Sequence, residues 1–188
     1  MTSFTVDDIP SLTECNVPAR TWLSENNTQL RQQHPPISGL ATSTFVFNPS
    51  GRVLVLQRAS DDSMPNLWEA PGGAVDEQDV TVLQAAAREL REESGLVVSR
   101  FRRRFPGLHV FPNRNRSRFF VRLAFLVDVE SCLVVGLDPK EHQAFAWASE
   151  EDVRSETLDG RPLPITGDEM KGLLLESFRL RRELDASS

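Results

Sequence analysis

The sequence contains no tyrosine and only two cysteines, Cys15 and Cys132, which lie far apart. So few cysteines exclude a disulfide framework and favour a reducing, cytoplasmic compartment. No apolar run approaches the roughly 20 residues of a membrane span, and the start, "MTSFTVDDIPSL", lacks the basic-then-apolar pattern of a signal peptide. Basic charge is also scarce, because the net charge is −6. We therefore expect neither a membrane nor a nucleic-acid partner.

The 188 residues suffice for one domain with a core and an extension. Residues 1–40 are rich in small polar residues and proline, and we interpret them as an N-terminal extension with one short helix near "ARTWLSENN". Residues 41–185 form the predicted main domain. The extension also holds apolar residues, including adjacent Trp22 and Leu23. We expect part of it to pack on the domain or on a second subunit, which leaves a monomer or a homodimer open.

Secondary structure follows from periodicity and turn residues. The runs "LATSTFVF" and "RVLVLQR" predict a hairpin around the turn "NPSG". A helix is predicted over "VTVLQAAARELREES", ending at Gly95. Strands are predicted at "LVVSRFRRRF", "RFFVRLAFLVDV" and "HQAFAWA", with a loop at "PGLHVFPNRNRS" and a last helix in "TGDEMKGLLLESFRLRREL". This mixed order predicts an α/β sandwich rather than a doubly wound sheet.

Three glutamates on the first predicted helix stand at unusual spacing. Glu89, Glu92 and Glu93 share one helix face, where like charges repel. Arg88 can reach Glu92 and relieve part of this repulsion, and a divalent cation with oxygen ligands would relieve more. The alternative is an ordinary solvated face of mixed glutamate and arginine. The upstream "PGG", Pro71 to Gly73, favours the cation, because a glycine pair lets backbone approach a ligand closely.

The combined pattern resembles the Nudix box, G-x5-E-x7-R-E-U-x-E-E-x-G-U, where U is apolar. Gly73 starts it, and the stretch from Arg88 to Leu96 matches every fixed position of the second half. The first half departs from the pattern, because Asp79 stands where the family has glutamate and eight residues separate it from Arg88. The extra residue falls near the helix start, where a longer loop can absorb it. Asp79 is otherwise interpreted as the N-cap of the helix.

The resemblance implies a Nudix-type α/β/α sandwich with a mixed β-sheet. It also implies hydrolysis of a diphosphate linkage by water, with Mg²⁺ or Mn²⁺ bound. The stretch "PKEHQAFAWAS" resembles the region that carries a further glutamate in the branch that cleans oxidised nucleotides from the pool. The implied metal ligands are Gly73, Glu89, Glu92 and Glu93. The implied catalytic residues are Arg88, Glu89, Glu93 and Glu141, with the general base left open among the last three.

The substrate is less well determined by the sequence. Arginines concentrate between residues 100 and 122 of an acidic chain, which suits a small phosphorylated substrate but equally a solvated hairpin. The implied substrate-binding residues are Arg58, Trp68, Arg104 and Arg118. The absence of tyrosine counts against the dinucleoside polyphosphate branch. Beside a nucleoside diphosphate derivative, two alternatives remain: an isoprenoid or other non-nucleotide diphosphate, and a binding module without catalysis.

Overall fold

A computed structural model describes residues 3–113 and 115–186, with the backbone alone at Gln33. The helices are α1 Pro10–Thr13, α2 Ala19–Gln33, α3 Val82–Ser94, α4 Glu150–Ser155 and α5 Asp168–Ala186. The strands are β1 Thr5–Val6, β2 Ile37–Val46, β3 Val53–Arg58, β4 Trp68–Glu69, β5 Val98–Arg104, β6 His109–Pro112, β7 Phe119–Val129, β8 His142–Ala148, β9 Thr157–Leu158 and β10 Arg161–Pro162. None of the helices in these ranges is long and apolar enough to cross a membrane.

Two sheets form the centre of the molecule. The larger one has the order β1-β5-β7-β2, with β6 also paired to β7. It is mixed, because β2 runs parallel to β7 and β1 parallel to β5, whereas β5 and β6 are antiparallel to β7. The smaller sheet, β4-β3-β8, is antiparallel. The predicted mixed sheet is therefore confirmed.

Alternation along the strands places a hydrophobic core on each side of the sheets. In β7, Val121, Leu123 and Phe125 join a core with residues of α1, α2 and α3. Their neighbours Ala124 and Leu126 join a second core with α5. Because successive side chains of a strand point to opposite faces, one strand serves both cores. Helices thus cover both faces, which confirms the predicted α/β/α sandwich.

Two predictions of local structure are wrong. The turn at "NPSG" forms, with the Gly51 N–H donating to the Asn48 carbonyl at 2.9 Å. However, the strands diverge beyond an isolated bridge from Phe47 to Val53, and β2 pairs with β7 while β3 pairs with β4 and β8. They belong to different sheets because each finds a longer partner elsewhere. The predicted loop at "PGLHVFPNRNRS" contains β6, which pairs with the start of β7.

The N-terminal segment packs against the domain. The helix expected near "ARTWLSENN" is longer than predicted, at 15 residues, and it buries Trp22 at 1% exposure and Leu30 at 3%. Leu12 of α1 is fully buried in the same core. β1 extends the larger sheet, and the Val82 N–H at the start of α3 donates to the Val17 carbonyl at 3.0 Å. The segment therefore contributes to the core that supports α3.

Candidate active site

The helix α3 carries the acidic cluster and is fixed at both ends. Thr81 is its N-cap, and the Thr81 hydroxyl accepts a hydrogen bond from the Gln84 N–H at 3.2 Å. Gly95 ends the helix in the left-handed conformation, with φ of 70°, which glycine adopts at little cost. Its apolar face, which includes Leu83 and Leu90, is buried in the core. The N-cap interpretation of Asp79 is therefore wrong, because Thr81 lies nearer the helix start.

Glu93 is a buried carboxyl group on α3, with 5% exposure. Its Oε2 accepts a hydrogen bond from the Gly72 N–H at 2.7 Å. Burial raises the pKa of Glu93 to about 9, and the nearby charges of Glu69, Glu89 and Glu141 add to this effect, whereas the Gly72 hydrogen bond opposes it. A group with such a pKa holds a proton at neutral pH unless positive charge replaces that proton.

The glycine pair brings the loop before α3 against the strand β2 and against Glu89. A Cβ at Gly72 would lie 2.0 Å from the Thr42 carbonyl oxygen, and φ there is +153°. A Cβ at Gly73 would lie 2.6 Å from Glu89 Oε2. The Gly73 carbonyl accepts from the Thr42 N–H at 2.8 Å, and its second lone pair remains for another partner. The loop can therefore approach the carboxylates only because both residues lack side chains.

Arg88 joins this loop to α3. Its Nε and Nη2 donate to the two carboxylate oxygens of Asp79, each at 2.9 Å, and its Nη2 also donates to the Ala74 carbonyl at 3.2 Å. Its Nη1 lies 2.9 Å from Glu89 Oε1 and 2.8 Å from Glu92 Oε2. Asp79 thus reaches the helix despite the extra residue in the box. The helix runs without interruption from Val82 to Ser94, so the spacing from Arg88 to Glu93 is that of a regular helix.

Glu141 and His142 complete the acidic site. Glu141 directly precedes β8, and His142 is the first residue of β8. One ligand atom from each of Glu93, Glu141 and His142 lies within 4.8 Å of the other two. Glu141 is exposed, whereas His142 is buried. They line a cavity of about 340 Å³, here named the carboxylate cavity, whose lining residues are Arg58, Asp62, Gly72, Gly73, Ala74, Glu89, Glu93, Glu141 and His142.

The carboxylate cavity fits a hard divalent cation. Glu89, Glu93 and Glu141 present oxygen donors to one space, and Mg²⁺ and Mn²⁺ favour such ligands. Burial raises the pKa of Glu89 as it does that of Glu93, although Arg88 opposes the shift. Burial disfavours the ionised form of both carboxylates, and a cation bound between them would offset that cost. The metal ligands implied by the sequence meet here, except Glu92, whose side chain is 58% exposed and pairs with Arg88 on the outer side of α3.

A second cavity of about 290 Å³, here named the cleft, adjoins the first and shares Arg58, Gly72, Gly73 and Ala74 with it. On its wall, the rings of Phe111 and Phe120 stack with centroids 5.9 Å apart and planes at 29°. The guanidinium of Arg122 lies 4.7 Å from the Phe111 centroid, and its Nη1 is 3.0 Å from Glu169 Oε1. The cleft therefore offers a flat aromatic surface beside a cation.

The substrate-binding residues implied by the sequence do not all meet. Arg58 lines both cavities, where it pairs with Asp62 at 2.6 Å and with Glu69. Trp68 is 8% exposed and packs in the core beside α5. Arg118 is exposed on the loop before β7, and Arg104 is half-buried at the end of β5. Neither cavity is lined by these last three, so their roles stay predictions.

Among the cleft residues that sequence reasoning did not single out are Glu69, Phe120, Arg122 and Met170. One signal was available for two of them. In "RFFVRLAF", Phe120 and Arg122 occupy alternate positions and so share one face of β7, whereas Val121 points into the opposite core. Nothing local marks Glu69 and Met170, because pairing of β4 with β3 and packing of α5 bring them in.

The sequence and the fold of this chain are similar to those of known proteins that share the NUDIX domain. The model of the NUDIX domain matches residues 38–166. The CTP pyrophosphohydrolase of Escherichia coli K12 is 30% identical over 123 residues, which cover 64% of this chain and 83% of that protein. Among solved structures, the MutT protein of Methanosarcina mazei Go1 has a TM-score of 0.58 at 20% identity, covering 77% of this chain and 95% of its own. The E. coli ORF135 protein has a TM-score of 0.56 at 25% identity, covering 77% and 90%.

The matched region contains the smaller sheet, the larger sheet apart from β1 and the first residue of β2, the glycine pair, and α3 with its carboxylates. The family model spans well over half of the chain, and the curated relative is a pyrophosphohydrolase. The resemblance stated from the Nudix box is therefore confirmed. This chain belongs to the NUDIX family and is a hydrolase that acts on acid anhydrides in phosphorus-containing compounds.

Proposed function

We propose that this hydrolase cleaves a diphosphate linkage in a nucleoside triphosphate or a related nucleoside diphosphate derivative, with Mg²⁺ or Mn²⁺ bound. One observation carries this proposal: the carboxylate cavity adjoins the aromatic cleft, because the two share Arg58 and the loop from Gly72 to Ala74. A phosphate chain beside the carboxylates would leave its nucleoside next to Phe111 and Phe120. The relative named CTP pyrophosphohydrolase supports the same class of substrate.

Glu89, Glu93 and Glu141, with the Gly73 carbonyl, would hold the cation. When bound, the cation supplies charge that stabilises the phosphate oxygens and makes a bound water more acidic. Arg88 acts on this set as a positioning residue, since it fixes the Glu89 carboxylate and ties the loop to α3. A role for Glu92 as a further ligand stays a prediction, because its carboxylate lies on the outer side of the helix.

The general base accepts the proton of the attacking water, and Glu89, Glu93 and Glu141 remain the alternatives. All three line the carboxylate cavity, so each can reach a water held there. Glu93 and Glu89 have raised pKa values, and Glu141 is the exposed member of the set. Turnover of the three single glutamine variants at rising Mn²⁺ concentration distinguishes them, because excess cation restores a variant that has lost only a metal ligand, whereas the base variant stays inactive.

The cleft would bind the organic part of the substrate. A planar base stacks favourably on aromatic rings, at about 1–3 kcal/mol for each base, and Phe111 and Phe120 already lie parallel within 29°. Arg122 adds a cation for which Glu169 is the described partner, and its buried Nε has no partner among the described residues. Arg122 lines the cleft, so its guanidinium can offer positive charge to the substrate there.

A substrate screen tests the proposal. The full chain is incubated with nucleoside triphosphates, including CTP, with nucleotide sugars, and with isoprenoid diphosphates, each with Mg²⁺ and with Mn²⁺. We expect a nucleoside triphosphate to yield the monophosphate and pyrophosphate. Glu89→Gln should abolish this reaction, whereas Glu176→Gln, which removes a charge on α5 from a residue that lines neither cavity, should not.

The alternatives give different results in the same screen. Turnover of isoprenoid diphosphates alone would replace the nucleotide with a non-nucleotide substrate. Tight nucleotide binding without turnover under either metal would indicate a binding module and overturn the proposed reaction.

We also propose that residues 1–40 form an extension of a hydrolase domain at 41–185, and that the protein is a cytoplasmic monomer or homodimer without a nucleic-acid partner. The net charge of −6 supports the last point. Light scattering coupled to size exclusion measures the oligomeric state, and a higher oligomer would contradict it.

A further inference from the structure

His142 is a buried histidine that the proposed reaction leaves without a role. It is 3% exposed and lines the carboxylate cavity. Its Nε2 lies 3.7 Å from Glu69 Oε1, which exceeds hydrogen-bond length, and its enclosed Nδ1 has no partner among the described residues. Buried polar groups in native proteins are almost always satisfied, so this ring lacks a partner that the site is built to receive.

We propose that an imidazole nitrogen of His142 is a ligand of the cation in the carboxylate cavity, and that this nitrogen gives the site a preference for Mn²⁺ or Co²⁺ over Mg²⁺. The inference rests on the proposed function, because it adds a donor to the same metal site. It assigns to His142 a contact that neither the Nudix box nor the acidic face of α3 supplies.

The spacing of the donors supports the assignment. One atom each from Glu93, Glu141 and His142 lie within 4.8 Å of one another. Three donors that share one cation, with bonds of about 2.1 Å, lie about 3–3.6 Å from one another. Each donor therefore needs to move by about an ångström or less to share one ion. Glu93 comes from α3, whereas Glu141 and His142 are consecutive residues where β8 begins, so two elements supply the three donors.

The surroundings of His142 leave its nitrogen free for a metal. Glu69, the nearest carboxylate to Nε2, is already paired with Arg58, and Arg58 is held in turn by Asp62 at 2.6 Å. Glu69 therefore does not depend on a proton from His142. A carboxylate close to a ligating imidazole is a common outer partner, which orients the ring.

The nitrogen changes which ion the site prefers. Mg²⁺ binds oxygen ligands and keeps several waters. Imidazole suits later first-row ions, and affinity for a given nitrogen and oxygen site rises from Mn²⁺ to Co²⁺. If the ring instead competed with the cation for the carboxylates, removing the ring would tighten metal binding. The two roles predict changes of opposite sign when the ring is removed.

Calorimetric titration of the full chain with Mg²⁺, Mn²⁺ and Co²⁺ tests the proposal without turnover. In His142→Gln we expect affinity for Mn²⁺ and Co²⁺ to fall by about tenfold or more, with a smaller loss for Mg²⁺. His34→Gln is the matched control, because His34 lies at the end of α2, outside both cavities, and it should bind all three ions as the parent does. An equal loss for all ions, or tighter binding, would overturn the proposal.

A spectroscopic measurement needs no variant and so does not depend on whether His142→Gln folds. Pulsed electron paramagnetic resonance of the Mn²⁺-loaded parent should show coupling to an imidazole ¹⁴N nucleus, and absence of this coupling would refute the assignment. This measurement also separates the two proposals. If the protein shows the coupling but hydrolyses no nucleotide, His142 is a metal ligand and the proposed substrate class is wrong.

Discussion

Replacing Glu93 with glutamine should stabilise the metal-free protein at neutral and alkaline pH. The carboxyl group is 5% exposed, and its pKa in the folded state is about 9, compared with an ordinary value of 4.5. Between these two values the folded chain keeps a proton that the unfolded chain has lost. The contribution of the protonated Glu93 carboxyl group to the unfolding free energy is therefore fully present below about pH 4.5, and it is lost as the pH rises toward 9.

The size of the effect follows from the same two values. Each pH unit inside this window costs about 1.4 kcal/mol of unfolding free energy. At pH 7 the cost is therefore ~3 kcal/mol, which corresponds to about 6–12 °C in melting temperature for a chain of this length. Glutamine is neutral at every pH and keeps an oxygen that can accept the Gly72 N–H, so Glu93→Gln should escape the loss.

The assay is urea denaturation in EDTA at pH 5, 6, 7 and 8. The unfolding free energies of parent and Glu93→Gln should be closest at pH 5 and should separate progressively above it. Glu92→Gln is the matched control, because it removes the same charge from an exposed side chain of α3 and should follow the parent's pH dependence. Added Mn²⁺ should stabilise the parent more than Glu93→Gln, because the ion replaces the proton. Parallel curves for parent and Glu93→Gln would refute the reasoning.

Three further predictions concern the framework around the site. Trp22→Ala should lower the unfolding free energy, measured in urea, by about 3–5 kcal/mol. Val80 is exposed, so the control Val80→Ala should change this free energy by less than about 0.5 kcal/mol. Equal effects of the two substitutions would mean that α2 is not part of the core. Gly73→Ala should keep the fold but lower Mn²⁺ affinity by about tenfold or more in calorimetric titration, because the added Cβ displaces only the Glu89 carboxylate. Gly72→Ala should lower the melting temperature, because its Cβ would meet the backbone of Thr42 and Ser43. The reverse pattern would contradict these assignments. Arg88→Lys should lower kcat because lysine cannot make the bidentate contact with the loop, and an unchanged kcat would remove its positioning role.

The helix that carries the acids could be predicted from sequence because its signals are local. A spacing of four residues places Glu89 and Glu93 within reach of one another on any helix, and Gly95 marks the end of this one. The close approach of Gly72 and Gly73 to the carboxylates could also be predicted from local sequence, because it depends on the absence of Cβ atoms at these two residues. These features depend on neighbours in the chain and not on the rest of the fold.

The features that could not be predicted depend on distant partners. The strands β2 and β3 separate because β2 finds β7, more than seventy residues away, as a long parallel partner. The cleft is assembled in the same way, since Arg122 and Glu169 meet only when α5 packs beside β7. Local propensity carries no information on such pairings, which is why Trp68 looked as suitable for the substrate as Phe120 does now.

The position of α2 and α5 sets a limit on how this domain can be shortened or recombined. Both helices lie outside residues 38–166, the part that the family model matches. Yet α2 closes one core with Trp22, and α5 closes the other with Leu174 and Phe178. A fragment trimmed to the matched residues would retain every proposed metal ligand but expose two apolar faces, and such surfaces promote aggregation. A fragment intended for transfer to another protein should therefore include the whole sandwich, with α2 and α5 as well as the matched residues.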